Sequence, residues 1–240
     1  MGGRGSSNPY SDGIVTSAQQ KTLRQIAKKT ANLKNEQFRM IDENGNIVLE
    51  KRGKAHEVAS TVGENRQYGN GAVAIHNHPG GNAEYGGTFS DADLNEFGYG
   101  VRAIQVSTPE GTYTLVNKNW NNKKRYDGWV GLRDEHRKIK QPDSELEVRK
   151  QVRERTKNGR TQKAMDRISN NYMKIRQKKG VEAANEYALK TKKQYDTLAA
   201  KRKKEIDRGV RKAIVQPYHD MFKAKAAKYG FKYSFVPNRK

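Results

Sequence analysis

The chain has 240 residues, a formal net charge of +22 and only 33% hydrophobic residues. With no cysteine it can build neither a disulfide framework nor a thiolate zinc site, which leaves His, Asp and Glu as its metal ligands. No apolar run reaches the roughly 18 residues of a membrane span, and the start MGGRGSSNPYSDG lacks the apolar core of a secretory signal. These features predict a soluble, intracellular protein.

Residues 1–15 read as a flexible, glycine- and serine-rich arm. From Thr16, TSAQQKTLRQIAKKTANL sets Leu23, Ile26, Ala27 and Thr30 at helical spacing, with Thr16 or Ser17 as cap. QFRMIDENGNIVLEK reads as a hairpin turning at Glu43-Asn44-Gly45-Asn46, since Asn-Gly favours the positive φ of a tight turn. AHEVASTVGENRQ is then a short helix, GAVAIHNH a buried strand and SDADLNEFGYG a helix closed by glycine. RAIQVSTPEGTYTLVNK is a second hairpin around Pro109-Glu110-Gly111. Two or three helices packed on a mixed sheet satisfy this order, so the fold class is α/β.

Charge divides the chain near KIKQPDSELE. Residues 144–240 hold 28 Lys and Arg against 10 Asp and Glu, and the preceding residues 20 against 16. We therefore place one domain over 16–141 and a basic, mainly helical extension over 142–240. Met165, Ile168, Tyr172 and Ile175 recur at helical spacing there, and breaks are expected at Gly159, Gly180, Gly209 and Pro217. The extension reads as a helical bundle or an extended arm, and strand signals return only at FKYSFVP. Its charge suits nucleic-acid phosphates or an acidic protein partner, with Lys201, Arg202, Lys203, Lys204 and Arg211 as candidate contacts; a merely solvated face is the plainer reading. Tyr172, Tyr187 and Tyr195 stand at helical spacing and read as packing residues.

Chemistry concentrates in the middle of the first domain. His76 and His78 end the buried strand two residues apart, so both can face one side. Ser90 and Asp93 share the first turn of the next helix. Taken singly, His-x-His is commonly incidental and Ser-x-x-Asp is commonly a helix cap. Together they supply three ligands and an open position, the pattern of a catalytic zinc site.

HNHPGG followed by FSDADL resembles the JAMM motif of the JAB/MPN zinc metalloprotease superfamily, in the form of its bacterial and phage members, including the RadC-type branch. The resemblance covers roughly residues 17–117. It implies a JAB/MPN-like (cytidine-deaminase-like) domain that hydrolyses a peptide or isopeptide bond. His76, His78 and Asp93 would bind Zn2+, Ser90 would stabilise the oxyanion, and an upstream glutamate would activate the attacking water. Glu36, in Glu36-Gln37-Phe38 after the first helix, fits that place, with Glu50, Glu57 and Glu64 as rivals. His56-Glu57 suggests half a zincin motif, but no second histidine follows at the needed spacing. One departure is the loop GGNAEYGGTF, longer than the usual motif; its Glu84 and Tyr85 could touch substrate, but solvated loop residues are the plainer reading. The motif variant and basic tail further suggest a phage- or mobile-element-encoded protein, in the cytoplasm of a bacterial host or associated with a virion. A non-enzymatic binding or structural use of the same fold is the alternative. His136 and His219 read as surface residues.

Overall fold

In the computed structural model, residues 10–54, 57–79, 88–139 and 145–238 are described. Thr16 caps α1 (Ser17–Thr30): its hydroxyl accepts the Gln19 amide, and the Gln19 side chain accepts the Thr16 amide in return. Gln19 is itself fully buried and donates to the carbonyls of Ile41 and Gly71, which ties the helix start to the sheet. β1 (Gln37–Ile41) and β2 (Ile47–Arg52) form the expected hairpin. Gly45 adopts φ +85° at its turn, and Asp42 Oδ1 accepts the amides of Asn44 and Asn46.

Next come α2 (Val62–Tyr68), β3 (Val73–Asn77) and α3 (Asp91–Asn95), the last continued by one 3₁₀ turn that ends on Gly100. β4 (Ala103–Ser107) and β5 (Gly111–Asn117) make the second hairpin. α4 (Lys124–Arg137), α5 (Glu145–Thr156), α6 (Arg160–Lys225) and β6 (Phe231–Pro237) complete the chain. The six strands form one mixed sheet in the order β2-β1-β3-β4-β5-β6, in which only β3 and β4 run parallel. The protein is thus α/β, with a long helix near its C-terminus.

Alternation along the strands builds two cores. Val73, Ile75, Ala103 and Val116 pack with Leu23 and Ile26 of α1 on one face. Ala74, Ile104, Val106 and Leu115 pack on the other with Leu94, Phe97, Leu132, Tyr218 and Phe222. Within residues 10–15, assigned to the arm, Tyr10 and Val15 are buried in the α1-side core, and the Tyr10 hydroxyl donates to Gln105 Oε1.

Contacts divide the chain into two units, one of residues 1–141 with 214–240 and the other of residues 142–213. Residues 214–240, read above as part of the extension, therefore pack with the sheet. β6 pairs along the whole of β5, from Asn117↔Phe231 to Gly111↔Pro237, and Phe235 stacks on Tyr113 with centroids 4.5 Å apart. Phe222 is wholly buried against Phe89 and Tyr233.

The helix α4 was not anticipated. Its glycines weaken the helical signal, yet both are required: a Cβ at Gly128 or at Gly131 would stand 2.4 Å from atoms of Tyr229. The same reason keeps Gly209 inside α6, where a Cβ would lie 2.6 Å from a Val152 methyl of α5. Gly209 and Pro217 therefore do not end the helix, whereas Gly180 does interrupt it, with φ 88° and ψ 177°. In the second unit Val148, Val152, Ala184, Ile206 and Val210 are buried. Thr161 donates to Glu205 (2.6 Å) and Arg202 to Gln162 (3.2 Å), so the two segments of α6 on either side of Gly180 lie against each other. Among the described residues, no helix is long and apolar enough to cross a membrane.

Phe222→Ala removes the aromatic group that joins α6 to Phe89 and Tyr233. It is expected to lower unfolding stability by about 3–5 kcal/mol, seen as a lower urea midpoint with an unchanged slope.

Candidate metal centre

β3 is buried throughout, and its two-residue period sends His76 to the same face as Ala74, towards α3. Beyond the strand end the His78 amide still donates to the Ser107 carbonyl (3.0 Å), so the extended backbone carries His78 to that face as well. The two Nε2 atoms lie 2.9 Å apart, with ring centroids at 4.7 Å. Both side chains are almost completely buried.

α3 supplies the carboxylate. Ser90 caps it by accepting the Asp93 amide (3.1 Å), and Asp93 Oδ2 accepts the Ser90 amide (2.6 Å). This reciprocal cap fixes the carboxylate so that Oδ1 is 3.1 Å from His76 Nε2 and Oδ2 is 3.8 Å from His78 Nε2. Capping and ligand roles are therefore compatible here: the cap orients the acid. Ser90 uses an oxygen lone pair as cap acceptor, and its hydroxyl hydrogen is left to donate.

Glu36 immediately precedes β1. The antiparallel register pairs Phe38 with His76, which puts Glu36, two residues earlier, opposite His78, two residues later. Asn77, between the histidines and fully buried, clamps the chain on either side of Glu36. Its Oδ1 accepts the Gln37 amide (2.9 Å), and its Nδ2 donates to the Asn35 carbonyl (3.1 Å). Glu36 is only 6% exposed, and its own backbone pairs with Lys54 and Gly53. The rivals are engaged elsewhere: Glu50 pairs with Arg39 at 2.6 Å, Glu64 with Lys51 at 2.5 Å, and Glu57 is exposed.

The electrostatics separate the acids. Burial pushes the Glu36 carboxyl up to about 7, with Asp93 adding to the rise and His76 opposing it. Burial acts on Asp93 in the same direction. There the charge and hydrogen bond of His76, with His78 and the Ser90 amide, outweigh it and hold the carboxyl well below the ordinary range. Burial would lower His76, but Asp93 and then Glu36 override it and raise the imidazole.

A further buried acid, Glu96, belongs to the same cluster and was not singled out from the sequence. It accepts from Asn65 (3.0 Å) and Ser60 (3.5 Å), and burial, then Asp93, pushes it up to about 7. Its signal was faint, since a glutamate one turn beyond Asp93 also suits an exposed helix face. Asn77 was missed because its role depends on which backbone lies beside it.

His136 is not a surface residue, and His219 is only partly exposed. His136 is 8% exposed, donates from Nε2 to the Phe89 carbonyl (2.9 Å) next to Ser90, and burial lowers its imidazole below the ordinary value. His219 is half-buried, with Nδ1 2.6 Å from the Tyr233 hydroxyl. Of the candidate basic contacts, Lys201, Lys203 and Lys204 are exposed and Arg211 is half-buried. Arg202 is 6% exposed and held by Gln162, Glu205 and the Arg153 carbonyl, so its guanidinium is spent inside the helical unit. His56, Glu84 and Tyr85 lie outside the described residues.

His76, His78 and Asp93 form a buried group able in principle to hold a metal ion, their ligand atoms all within 4.8 Å of one another. Tetrahedral ligands about 2.0–2.1 Å from zinc stand roughly 3.3 Å apart. The Nε2–Nε2 separation of 2.9 Å and the 3.1 Å from His76 Nε2 to Asp93 Oδ1 come near that value, and His78 Nε2 lies 3.8 Å from the other carboxylate oxygen, Oδ2. Comparison with protein-family models, with curated proteins and with solved structures finds no match to this chain.

Glu96 gives the metal-free protein a pH signature. An acid raised in the folded state from 4.5 to about 7 keeps its proton longer folded than unfolded. Stability is therefore intact below the unfolded value and declines as pH rises from about 4.5 to about 7. Glu96→Gln is expected to match the native protein at pH 4. At pH 8 it should be more stable by about 3 kcal/mol in urea unfolding.

Proposed function

We propose that the protein is a zinc-dependent hydrolase of amide bonds, a peptidase or isopeptidase of the JAB/MPN type. One observation carries the reading: two buried imidazoles and a capped carboxylate converge, with the buried Glu36 beside them. His76, His78 and Asp93 would hold the ion, and the N,N,O donor set leaves one tetrahedral position for water or substrate. Zinc bound there supplies Lewis acidity, bringing the pKa of water towards 7 and polarising a carbonyl.

The chain's own residues do the rest. Glu36, with a carboxyl poised near neutrality, takes a proton from the attacking water as its oxygen joins the carbonyl carbon. As the C–N bond breaks, Glu36 returns that proton to the leaving nitrogen. The Ser90 hydroxyl donates to the developing oxyanion, a contribution of about 3 kcal/mol for comparable donors. Asn77 keeps Glu36 at its station through the two backbone bonds on either side, and His136 steadies the chain before Ser90.

A second reading has its own observation. His76 and Asp93 already satisfy one another at 3.1 Å, as they would in a buried structural cluster of a non-enzymatic protein of this fold. Zinc content separates the two. Protein stripped with chelator and dialysed against zinc is expected to hold one ion per chain, lost in His78→Ala and Asp93→Ala; absence of binding ends the enzymatic reading. With mixed fluorogenic peptides and isopeptide conjugates as substrates, Glu36→Gln should keep the zinc and lose about 10²–10⁴-fold in kcat. Asn77→Ala should keep the zinc and lose about tenfold in kcat, because a displaced base misses its geometry.

A further inference from the structure

The segment of α6 that follows the Gly180 interruption carries a row of cations that the zinc site does not use. Lys190, Lys193, Lys201, Lys204, Arg208 and Lys212 are all exposed, and with Thr197 they follow one another at intervals of three or four residues. At about 100° per residue they fall within about 50° of one line along the helix. The opposite side holds the buried Arg202, Ile206 and Val210, so the row points directly away from the packed face.

The row is selective. Lys203, off the line, pairs with Asp207 at 3.6 Å, and Arg202 is buried, whereas none of the six forms an ion pair with a described residue. No acid interrupts the line from 190 to 212; the remaining residues near it are Gln194, Thr197 and the half-buried Arg211. Twenty-two residues of helix extend the row over about 33 Å, close to one turn of a nucleic-acid duplex.

We propose that this outward face of α6 binds a nucleic-acid duplex through its phosphates, without reading base sequence. The face has no apolar residue to serve as the desolvated core that a protein interface needs, so an acidic protein fits it less well. It has no aromatic ring for unstacked bases, which disfavours single strands. Exposed cations along one line, with ammonium and guanidinium groups outside any ion pair with a described residue, are what a phosphate backbone requires. This inference does not depend on the metal centre.

The test uses the full chain and a fluorescently labelled 25-base-pair DNA of mixed sequence, followed by anisotropy between 50 and 200 mM KCl. Six phosphate contacts predict a slope of log K against log salt near about −5. The quadruple variant Lys193→Gln, Lys201→Gln, Lys204→Gln and Arg208→Gln is expected to bind at least about tenfold more weakly at 100 mM, with a slope near about −2. A control removing four charges from other faces, Lys163→Gln, Lys174→Gln, Lys178→Gln and Lys192→Gln, should bind within about threefold of the native chain. Matching circular-dichroism melting curves for the three proteins exclude misfolding as the cause. The proposal is overturned if the native chain does not bind at 50 mM, or if both variants weaken equally, since net charge alone would then suffice. It is also overturned if polyglutamate of matched charge binds more tightly than the duplex, which would assign the face to an acidic protein.

Discussion

The antiparallel pairing of β1 with β3 is the constraint on which the candidate centre depends. It sets Phe38 against His76, and everything chemical follows from the residues just beyond that pair. Glu36 and His78 are brought opposite one another at the strand ends, and Asn77 closes the junction with one bond on each side of Glu36. A shift of one residue would turn the side chains of β1 to the other face of the sheet. The buried alternation of Phe38 and Met40 against Ala74 opposes that slip, so the apolar core holds the polar site in register.

Burial then distributes charge. Glu36, Asp93 and Glu96 all surround His76 in a region shielded from water, and three ionised carboxylates there would repel one another. The protein ionises the acid with the best local support. Asp93 has the Ser90 amide and both imidazoles, while Glu36 and Glu96 are pushed towards the neutral form. Such divergence among neighbouring acids is common at functional sites, where one group must carry charge and another must exchange a proton. A divalent cation in the cluster would offset the same repulsion.

The chain separates its polar duties. The sheet unit recruits residues 214–240, so that β6 covers β5 and Phe222 closes the core beside Phe89. Residues 142–213 form their own unit, in which Ile206 and Val210 of α6 are buried on one side together with Val148 and Val152 of α5, and a row of exposed cations occupies the other side of α6. That segregation lets a stretch of low hydrophobicity remain ordered: a narrow apolar seam is enough when each helix has a neighbour.

Much of the local structure was legible in the residues themselves. The Thr16 cap, the Asn44-Gly45 turn, the buried run Val73–Asn77 and the Ser90 cap each depend on neighbours within a few positions, and short-range sterics and hydrogen bonding suffice to specify them. The spacing of His76, His78, Ser90 and Asp93 likewise announced a possible ligand group. What the sequence could not decide was everything set by distant partners. Gly128, Gly131 and Gly209 look like helix breakers until Tyr229 and Val152 are seen where their side chains would be. His136 looks like a surface histidine until the Phe89 carbonyl reaches it, and Arg202 like a free cation until Gln162 and Glu205 enclose it. Asn77 and Glu96 gain their roles only from the backbone and side chains packed around them. Caps, turns and periodicity act over a few residues and are written in order along the chain; burial and pairing across the sheet act between residues far apart, and only the tertiary structure brings those together.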